Sequence, residues 1–102
     1  MPVYHIVLFK LKPGVTASQL TEWKDEAKAL IGQIPGLVAM EVGQPLAITA
    51  QRAQGFDMGL VSTLEGASYL KGYAEHPAHL KIARFRTELC TDSLTYDLEF
   101  FA

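Results

Sequence analysis

The first strand-like segment of this 102-residue chain is apolar on both of its faces. Residues 3–11 read VYHIVLFKL, a run rich in β-branched and aromatic residues that ends just before the turn-forming pair Pro13-Gly14. Side chains alternate across a strand, so its two faces can be assigned from the sequence. One face carries Val3, Val7, Phe9 and Leu11, and the other carries Tyr4, Ile6 and Leu8. A strand of this kind needs cover on both sides.

The rest of the chain predicts the element order βαββαβ. Thr16 and Gln19 have the spacing of a capping box, and apolar residues at three- and four-residue intervals then predict a helix that ends at Pro35-Gly36. Pattern and turn signals predict the other elements: strands over 37–43, 55–63 and 95–100, helices over 65–75 and 77–89, and a polar, mobile loop over 45–54. This order is typical of a ferredoxin-like α+β fold with a four-stranded antiparallel sheet, here one domain over residues 1–102.

Two helices can cover only one face of such a sheet, which constrains how the chain assembles. The last strand extends the second apolar face with Leu94, Tyr96, Leu98 and Phe100. An exposed apolar patch of this size exceeds what soluble monomers normally carry. The simplest cover is a second copy, packed sheet against sheet in a symmetric homodimer, the arrangement of a dimeric α/β barrel. A loop folded over the face is the alternative, but the segment after Pro45 contains few large apolar residues.

Composition excludes several classes of partner. Nine basic and eleven acidic side chains give a formal net charge of -2, so no basic excess exists to bind the phosphates of nucleic acid. The single cysteine, Cys90, cannot form an internal disulfide, is expected to be buried and inert, and fits a reducing cytoplasmic location. The apolar N-terminal run precedes its basic residues and is far shorter than the roughly 20 residues that span a bilayer. Neither a signal peptide nor a membrane segment is predicted.

The densest group of functional side chains is a segment beginning at Tyr73 that reads YAEHPAH. With Pro77 at the first helical position, His79 falls in the first turn, where the helix dipole disfavours imidazolium and keeps the ring a neutral base. Tyr73 lies one turn before the break and can offer its phenol to the same pocket. His5 lies on the strand face of Val7. Three polar groups that converge on an apolar cavity are typical of a small-molecule site.

Each of these residues also has a purely structural interpretation. His5 can be a core histidine bonded to a carbonyl group, and Tyr73 can be a core residue with a paired hydroxyl. His76 and Pro77 are expected to be structural, because a residue beside the break can satisfy exposed backbone groups. His76 and His79 stand three residues apart beside a glutamate, but no clear third ligand accompanies them. We therefore predict no metal and no cofactor.

Large apolar residues are the candidates for lining this pocket. The expected substrate-binding residues are Val7, Phe9, Trp23, Met40, Met58 and Leu60. Their strand and helix spacing fits a packed core equally well, and the sequence does not separate the two interpretations.

The chain resembles the stress-responsive dimeric α/β-barrel family nearly from end to end. The resemblance rests on HIVLFK at 5–10, Pro35-Gly36, Gly55-Phe56-Asp57 and the His-Pro-Ala-His motif at 76–79. It implies ferredoxin-like subunits whose sheets pack face to face. In this family the olivetolic acid cyclases of plants close a linear thioester by aldol condensation without a cofactor. Their general base matches His79, the tyrosine beside it matches Tyr73, and a further pocket histidine matches His5.

The chain also departs from the pattern of those cyclases. Met58 stands where they carry histidine, and Ala27 stands where they carry tyrosine. Ser93 and Thr95 stand where they carry apolar residues. These changes imply a different substrate.

Two functions of different classes follow from the sequence. The first is a homodimer that binds a small apolar or amphipathic molecule; the second is a cofactor-independent lyase or cyclase that closes a polyketide-like substrate by an aldol-type condensation. A cofactor-free oxygenase is a third function that only the fold suggests. Catalysis predicts that Tyr73 and His79 lie within hydrogen-bond reach of each other at the wall of a cavity.

Overall fold

The computed structural model describes residues 1–101 and contains four strands and three α-helices. In chain order these are β1 (Val3–Leu11), α1 (Ala17–Lys28), β2 (Leu37–Gly43), β3 (Met58–Leu64), α2 (Leu70–Glu75), α3 (Pro77–Leu89) and β4 (Cys90–Glu99). The strands form one antiparallel sheet in the order β2-β3-β1-β4. The predicted ferredoxin-like fold is therefore confirmed. No helix within residues 1–101 is long and apolar enough to cross a bilayer.

Several element boundaries differ from the sequence prediction. Strand β3 starts at Met58 rather than at residue 55, because Gly55 takes a φ of 87° and the Phe56 amide donates to the Ala53 carbonyl, which prolongs the turn. Strand β4 starts at Cys90, five residues earlier than predicted, directly at the end of α3. The segment 45–54 contains a short 3-10 helix, and residues 65–69 form a bend and a 3-10 turn before α2.

The helices cover one face of the sheet, and the hydrophobic core lies between the helices and that face. Helix α1 begins at the predicted capping box, in which Thr16 and Gln19 exchange backbone and side-chain hydrogen bonds. Its buried residues Leu20, Trp23 and Ala27 face the sheet. Helix α1 packs on β2 and α3 packs on β4, so the two ends of the sheet lie beneath different helices. The core therefore continues beneath both helices along the whole covered face.

The other face, which we call the open face, has no helix on it. Strand register places Tyr4, Ile6 and Leu8 of β1 opposite Leu98, Tyr96 and Leu94 of β4. In the single chain Leu94 is 50% exposed and Tyr96 is 63% exposed. Phe100, just beyond β4, stacks on Tyr4 with a separation of 4.0 Å between ring centroids.

The loop that follows β2 does not hide its own apolar residues. Leu46 and Ile48 are 73% and 79% exposed. Since these are the large aliphatic residues of segment 45–54, that segment does not supply apolar cover for the open face.

Candidate functional site

A cavity of about 310 Å³ lies between the covered face of the sheet and the three helices, on the side of β1 and β4. Most of its wall is aliphatic or aromatic. The polar residues on the wall are His5, Tyr73, His79, Arg86, Thr95 and Asp97. The structure thus brings together the three residues that the sequence proposed for catalysis.

His5 is held by a carboxylate from the neighbouring strand. Strand register places Asp97 directly opposite His5, and its Oδ1 lies 2.5 Å from Nδ1 of the ring. Because an ionised carboxylate only accepts hydrogen bonds, Nδ1 carries the hydrogen and donates it. In the neutral ring, Nε2 therefore keeps its lone pair for another partner. The bond is to a carboxylate, not to the core carbonyl group of the structural interpretation.

His79 lies in the first turn of α3, and its tautomer is also fixed by a neighbour. Its Nδ1 lies 3.1 Å from the Ala74 carbonyl oxygen, which can only accept, so Nδ1–H is the donor. Burial lowers the pKa of His79 below 6.5, and this effect outweighs the Ala74 hydrogen bond, which acts in the opposite direction. His5 and Arg86 lower the pKa further. The ring is therefore neutral at pH 7, with a lone pair on Nε2.

Tyr73 lies between the two histidines and is almost fully buried. Its ring centroid is 5.2 Å from that of His5 and 4.6 Å from that of His79. The phenol oxygen makes no hydrogen bond to any described residue, so the expected direct bond to His79 is not formed. Burial raises the pKa of Tyr73, and the phenol stays protonated. The nearby Ser62 hydroxyl acts to lower that pKa, although the two hydroxyls lack hydrogen-bond geometry.

Trp23, another residue of the cavity wall, carries a second unpaired donor. Its indole stacks on Phe85 at 5.6 Å and meets the edge of Phe9 at 4.8 Å between ring centroids. The ring is almost fully buried, and Nε1 has no hydrogen-bond partner among the described residues. An unpaired buried donor costs about 1–3 kcal/mol, and most native proteins avoid it. Trp23 and Tyr73 thus leave two such donors in residues that line one cavity.

The expected apolar lining residues divide into two groups. Val7, Phe9, Trp23 and Leu60 line the cavity. The structure places Met40 and Met58 elsewhere: both are buried in the core, and neither is among the residues that line the cavity. Met40 lies on β2 and Met58 lies on β3, toward the end of the sheet beneath α1. The polar residues of the cavity come from β1, β4, α2 and α3.

His76 stands at the break between α2 and α3. It is the N-cap of α3, where its Nδ1 accepts a hydrogen bond of 3.1 Å from the Ala78 amide, and Pro77 takes the first helical position. Its Nδ1 is thereby occupied by the backbone. Across residues 1–101 no group of three or more histidine, cysteine or acidic side chains is placed to hold a metal ion.

Cys90 lies at the junction of α3 and β4, outside the cavity wall. Burial raises the pKa of its thiol to about 11, so the protonated form dominates at neutral pH. A thiol that stays protonated is a poor nucleophile.

Asp97 and Arg86 are polar residues of the wall that the sequence interpretation did not propose. Alternation along β4 does place Asp97 on the same side as Thr95, away from the apolar face, and that was the available signal. Alternation within β4 does not show the register between β1 and β4, and it is this register that pairs Asp97 with His5. Arg86 follows His79 by two helical turns, which places the two residues on the same side of α3.

Comparison with known proteins identifies several similar chains. The sequence profile of the family described as "Stress responsive A/B Barrel Domain" (Dabb) matches residues 3–100. An uncharacterized protein of Streptomyces coelicolor is 34% identical over 79 residues, which are 76% of this chain and 78% of that protein.

Solved structures are similar over almost the whole chain. A dimeric protein of unknown function and ferredoxin-like fold from Bacteroides fragilis is 27% identical, with a TM-score of 0.79 over 97% of this chain and 96% of that one. A hydroxynitrile lyase from Passiflora edulis is 21% identical, with a TM-score of 0.82 over 99% of this chain and 97% of that one. At 21% identity, the similarity to the hydroxynitrile lyase is evidence for the fold alone.

Proposed function

The chain belongs to the stress-responsive A/B barrel domain family, and on that basis we propose that it is a homodimer that binds a small apolar or amphipathic molecule in its cavity. The observation that carries this proposal is the pair of unpaired donors, Trp23 Nε1 and Tyr73 Oη, in residues that line a mostly apolar wall. A ligand oxygen that accepts from either donor offsets the cost of leaving it unpaired. The dimeric relative from Bacteroides fragilis and the apolar open face support the homodimer.

The composition of the wall indicates the chemistry of the ligand. A volume of about 310 Å³ suits a small organic molecule, and the aliphatic residues suit a hydrocarbon portion. The donors of Trp23 and Tyr73 call for a carbonyl or hydroxyl oxygen. The Nε2 lone pair of neutral His79 calls for a hydroxyl group or an acidic C–H. A β-diketone or a phenol with an alkyl chain combines these features.

Trp23 itself provides the test, because it is the only tryptophan of the chain and lines the cavity. Titration with 2,4-nonanedione, an amphipathic β-diketone, is expected to change the tryptophan fluorescence with saturation. The Tyr73→Phe variant should bind more weakly. The Tyr69→Phe variant is the matched control, because it removes the same hydroxyl from a tyrosine that is 37% exposed and is not on the cavity wall. A fluorescence that is insensitive to this probe and to alkyl phenols would contradict the proposal.

The second candidate is a cofactor-independent lyase or cyclase. It is favoured by a neutral imidazole beside a protonated phenol, since burial lowers the pKa of His79 and raises that of Tyr73. Neighbouring groups whose environments push their pKa values apart are a feature of acid–base sites. A hydroxynitrile lyase has the same fold, so this fold is able to support lyase chemistry.

An aldol closure would use the three residues in distinct roles. His79 Nε2 removes a proton from the carbon beside a carbonyl group, and the electron pair moves to form an enolate. Tyr73 donates a hydrogen bond to the developing oxygen anion, and His5, held by Asp97, orients the substrate. The enolate carbon bonds to a second carbonyl carbon, and the resulting alkoxide takes the proton back from His79. The ring closes without an oxidant, a reductant or a cofactor.

Proton abstraction can be measured without the natural substrate. The α-hydrogens of 2-nonanone in D₂O should exchange faster in the presence of the protein, as followed by NMR. The His79→Ala variant should lose about 10²- to 10⁴-fold of that acceleration, while its melting temperature stays nearly unchanged. Equal exchange with both proteins, or none above buffer, would leave the binding function and contradict the catalytic one.

A further inference from the structure

Arg86 on α3 carries a positive charge on the cavity wall that no residue within 1–101 pairs with. The residue is exposed and is among those that line the cavity. Within residues 1–101 its guanidinium makes no hydrogen bond and no ion pair. Arg84 is different, because its guanidinium lies 2.7 Å from a Glu26 oxygen and 3.3 Å from a Glu22 oxygen. Since arginine stays charged at every physiological pH, Arg86 leaves a permanent positive charge available to a ligand.

Strand register shows at which end of the cavity this charge lies. Asp97 pairs with His5, and Phe9 pairs with a residue nearer the junction of α3 and β4. Arg86 is about 6 Å from that junction along α3, at a rise of 1.5 Å per residue. Asp97 is about 23 Å from it along β4, at a rise of about 3.3 Å per residue. Arg86 therefore lies toward the Phe9 end of the cavity, away from the carboxylate that is bonded to His5.

Trp23 lies at the same end of the cavity. Its indole meets the edge of Phe9 and stacks on Phe85, the residue that precedes Arg86. Trp23 Nε1 is one of the buried donors without a partner within residues 1–101. Arginine binds carboxylates through paired N–H groups, and each carboxylate oxygen can accept a further hydrogen bond. A positive charge and a neutral donor at one end of an apolar cavity are complementary to a carboxylate.

We propose that the ligand is a carboxylic acid whose carboxylate pairs with Arg86 at the Phe9 end of the cavity and accepts a hydrogen bond from Trp23 Nε1. The inference rests on the proposed binding function and names the class of ligand. Arg86 and His79 are about 10 Å apart along the axis of α3, and the Arg86 charge acts on His79 by lowering its pKa. A chain of several methylene groups spans that separation and places a ketone near Tyr73 and His79. The ligand class is thus a keto acid of medium chain length.

A matched set of probes isolates the contribution of the carboxylate. The probe 8-oxononanoate differs from 2-nonanone only by a carboxylate in place of the terminal methyl group, and methyl 8-oxononanoate masks the charge. In tryptophan fluorescence titrations the acid should bind about fivefold more tightly than its ester, as expected for a partly exposed ion pair. Arg86→Met should remove this preference. Lys81→Met is the matched control, because it removes one positive charge from an exposed position of α3 that is not on the cavity wall, and it should keep the preference.

The salt dependence of the wild-type protein gives a second measurement that needs no variant. The dissociation constant of 8-oxononanoate should rise between about 0.05 M and about 0.5 M NaCl, because salt screens an exposed charge pair, while that of the ester stays nearly constant. Octyl phosphate presents the other oxyanion that arginine binds, and it should bind more weakly than the acid.

The outcomes separate this inference from the proposed function on which it rests. Equal affinity for the acid and its ester, the same preference in Arg86→Met and Lys81→Met, or tighter binding of octyl phosphate would each overturn the carboxylate assignment and leave the binding function in place. An absence of saturable binding for the acid, its ester and 2,4-nonanedione alike would overturn both.

Discussion

The covered and open faces of the sheet differ most clearly on one strand. On β4, Thr95 and Asp97 lie on the side of the helices and the cavity, whereas Leu94, Tyr96 and Leu98 lie on the side without helices. Within one protomer this is the reverse of the usual arrangement, in which the side that faces the helices is apolar. The inversion supports the proposal that the covered side of β4 serves a polar site and that its apolar side packs against a second subunit.

The largest expected effect comes from a charge on the open face. Leu94→Glu should change a dimer into a monomer or into insoluble protein, because an unpaired charge buried in an interface costs about 3–5 kcal/mol, more than a hundredfold in the dissociation constant. Leu80→Glu is the matched control, since Leu80 on α3 is 59% exposed and Leu94 is 50% exposed. Light scattering that reports the same mass for both variants would remove the distinction between the faces.

A substitution on the covered face, in contrast, is expected to increase the stability of the protein. Tyr73→Phe removes a buried hydroxyl that has no partner, so the ligand-free protein should gain about 1 kcal/mol in its free energy of unfolding. The same variant should bind 2,4-nonanedione more weakly. The matched control Tyr69→Phe, which is away from the cavity wall, should leave the binding unchanged. Urea unfolding and fluorescence titration measure the two quantities, and a loss of stability in Tyr73→Phe would indicate that its hydroxyl is paired.

The break between α2 and α3 should contribute a smaller effect, on stability rather than on binding. His76→Ala removes the side-chain cap of α3 and should lower the free energy of unfolding by about 1 kcal/mol. His79→Ala should affect ligand binding or proton exchange far more than stability. If both variants lose stability alike and neither changes binding or exchange, the His-Pro-Ala-His segment is only scaffold.

The smallest expected effect is a pH dependence of the melting temperature. It should arise from His79 on the covered side and should not appear in the association of subunits through the open face. Burial lowers the pKa of folded His79 below 6.5, so the unfolded chain takes up this proton first as the pH falls. The contribution of neutral His79 to the free energy of unfolding is therefore complete above about pH 6.5. It decreases as the pH falls toward the lower pKa that His79 has in the folded protein. His79→Gln should flatten the melting temperature across that window. The dimer dissociation constant depends on apolar residues of the open face, so it should not change over this pH range. Identical melting profiles for both proteins would show that His79 titrates normally.

Local patterns predicted most of the fold because alternation and capping act over a few residues. The apolar faces of β1, the capping box at Thr16 and the break at Pro77 all appear where the sequence placed them. The start of β4 was missed, since residues 90–94 lack a clear alternation and are held by pairing with β1 across a register shift between Lys10 and Leu11. That pairing is a long-range feature.

The site was predictable to the extent that its residues are close in sequence or share a strand face. His5, Tyr73 and His79 meet as proposed, with Val7 and Phe9 beside them. Two features depended on positions across the sheet. Asp97 reaches His5 only through strand register, and the sequence could not show that the cavity lies toward β4 while the methionines of β2 and β3 lie beneath α1.

Strand β4 follows α3 without a connecting loop and hydrogen-bonds to a neighbouring strand on only one side. The same ten residues present Asp97 to the cavity and Tyr96 to the open face. In the proposed liganded dimer, the ligand and the partner subunit would therefore contact the same strand, and a displacement of that strand would couple their binding free energies. Thermodynamic reciprocity requires that a ligand which tightens the dimer by some factor binds the dimer more tightly than the monomer by that same factor. The affinity of the cavity would then depend on protein concentration.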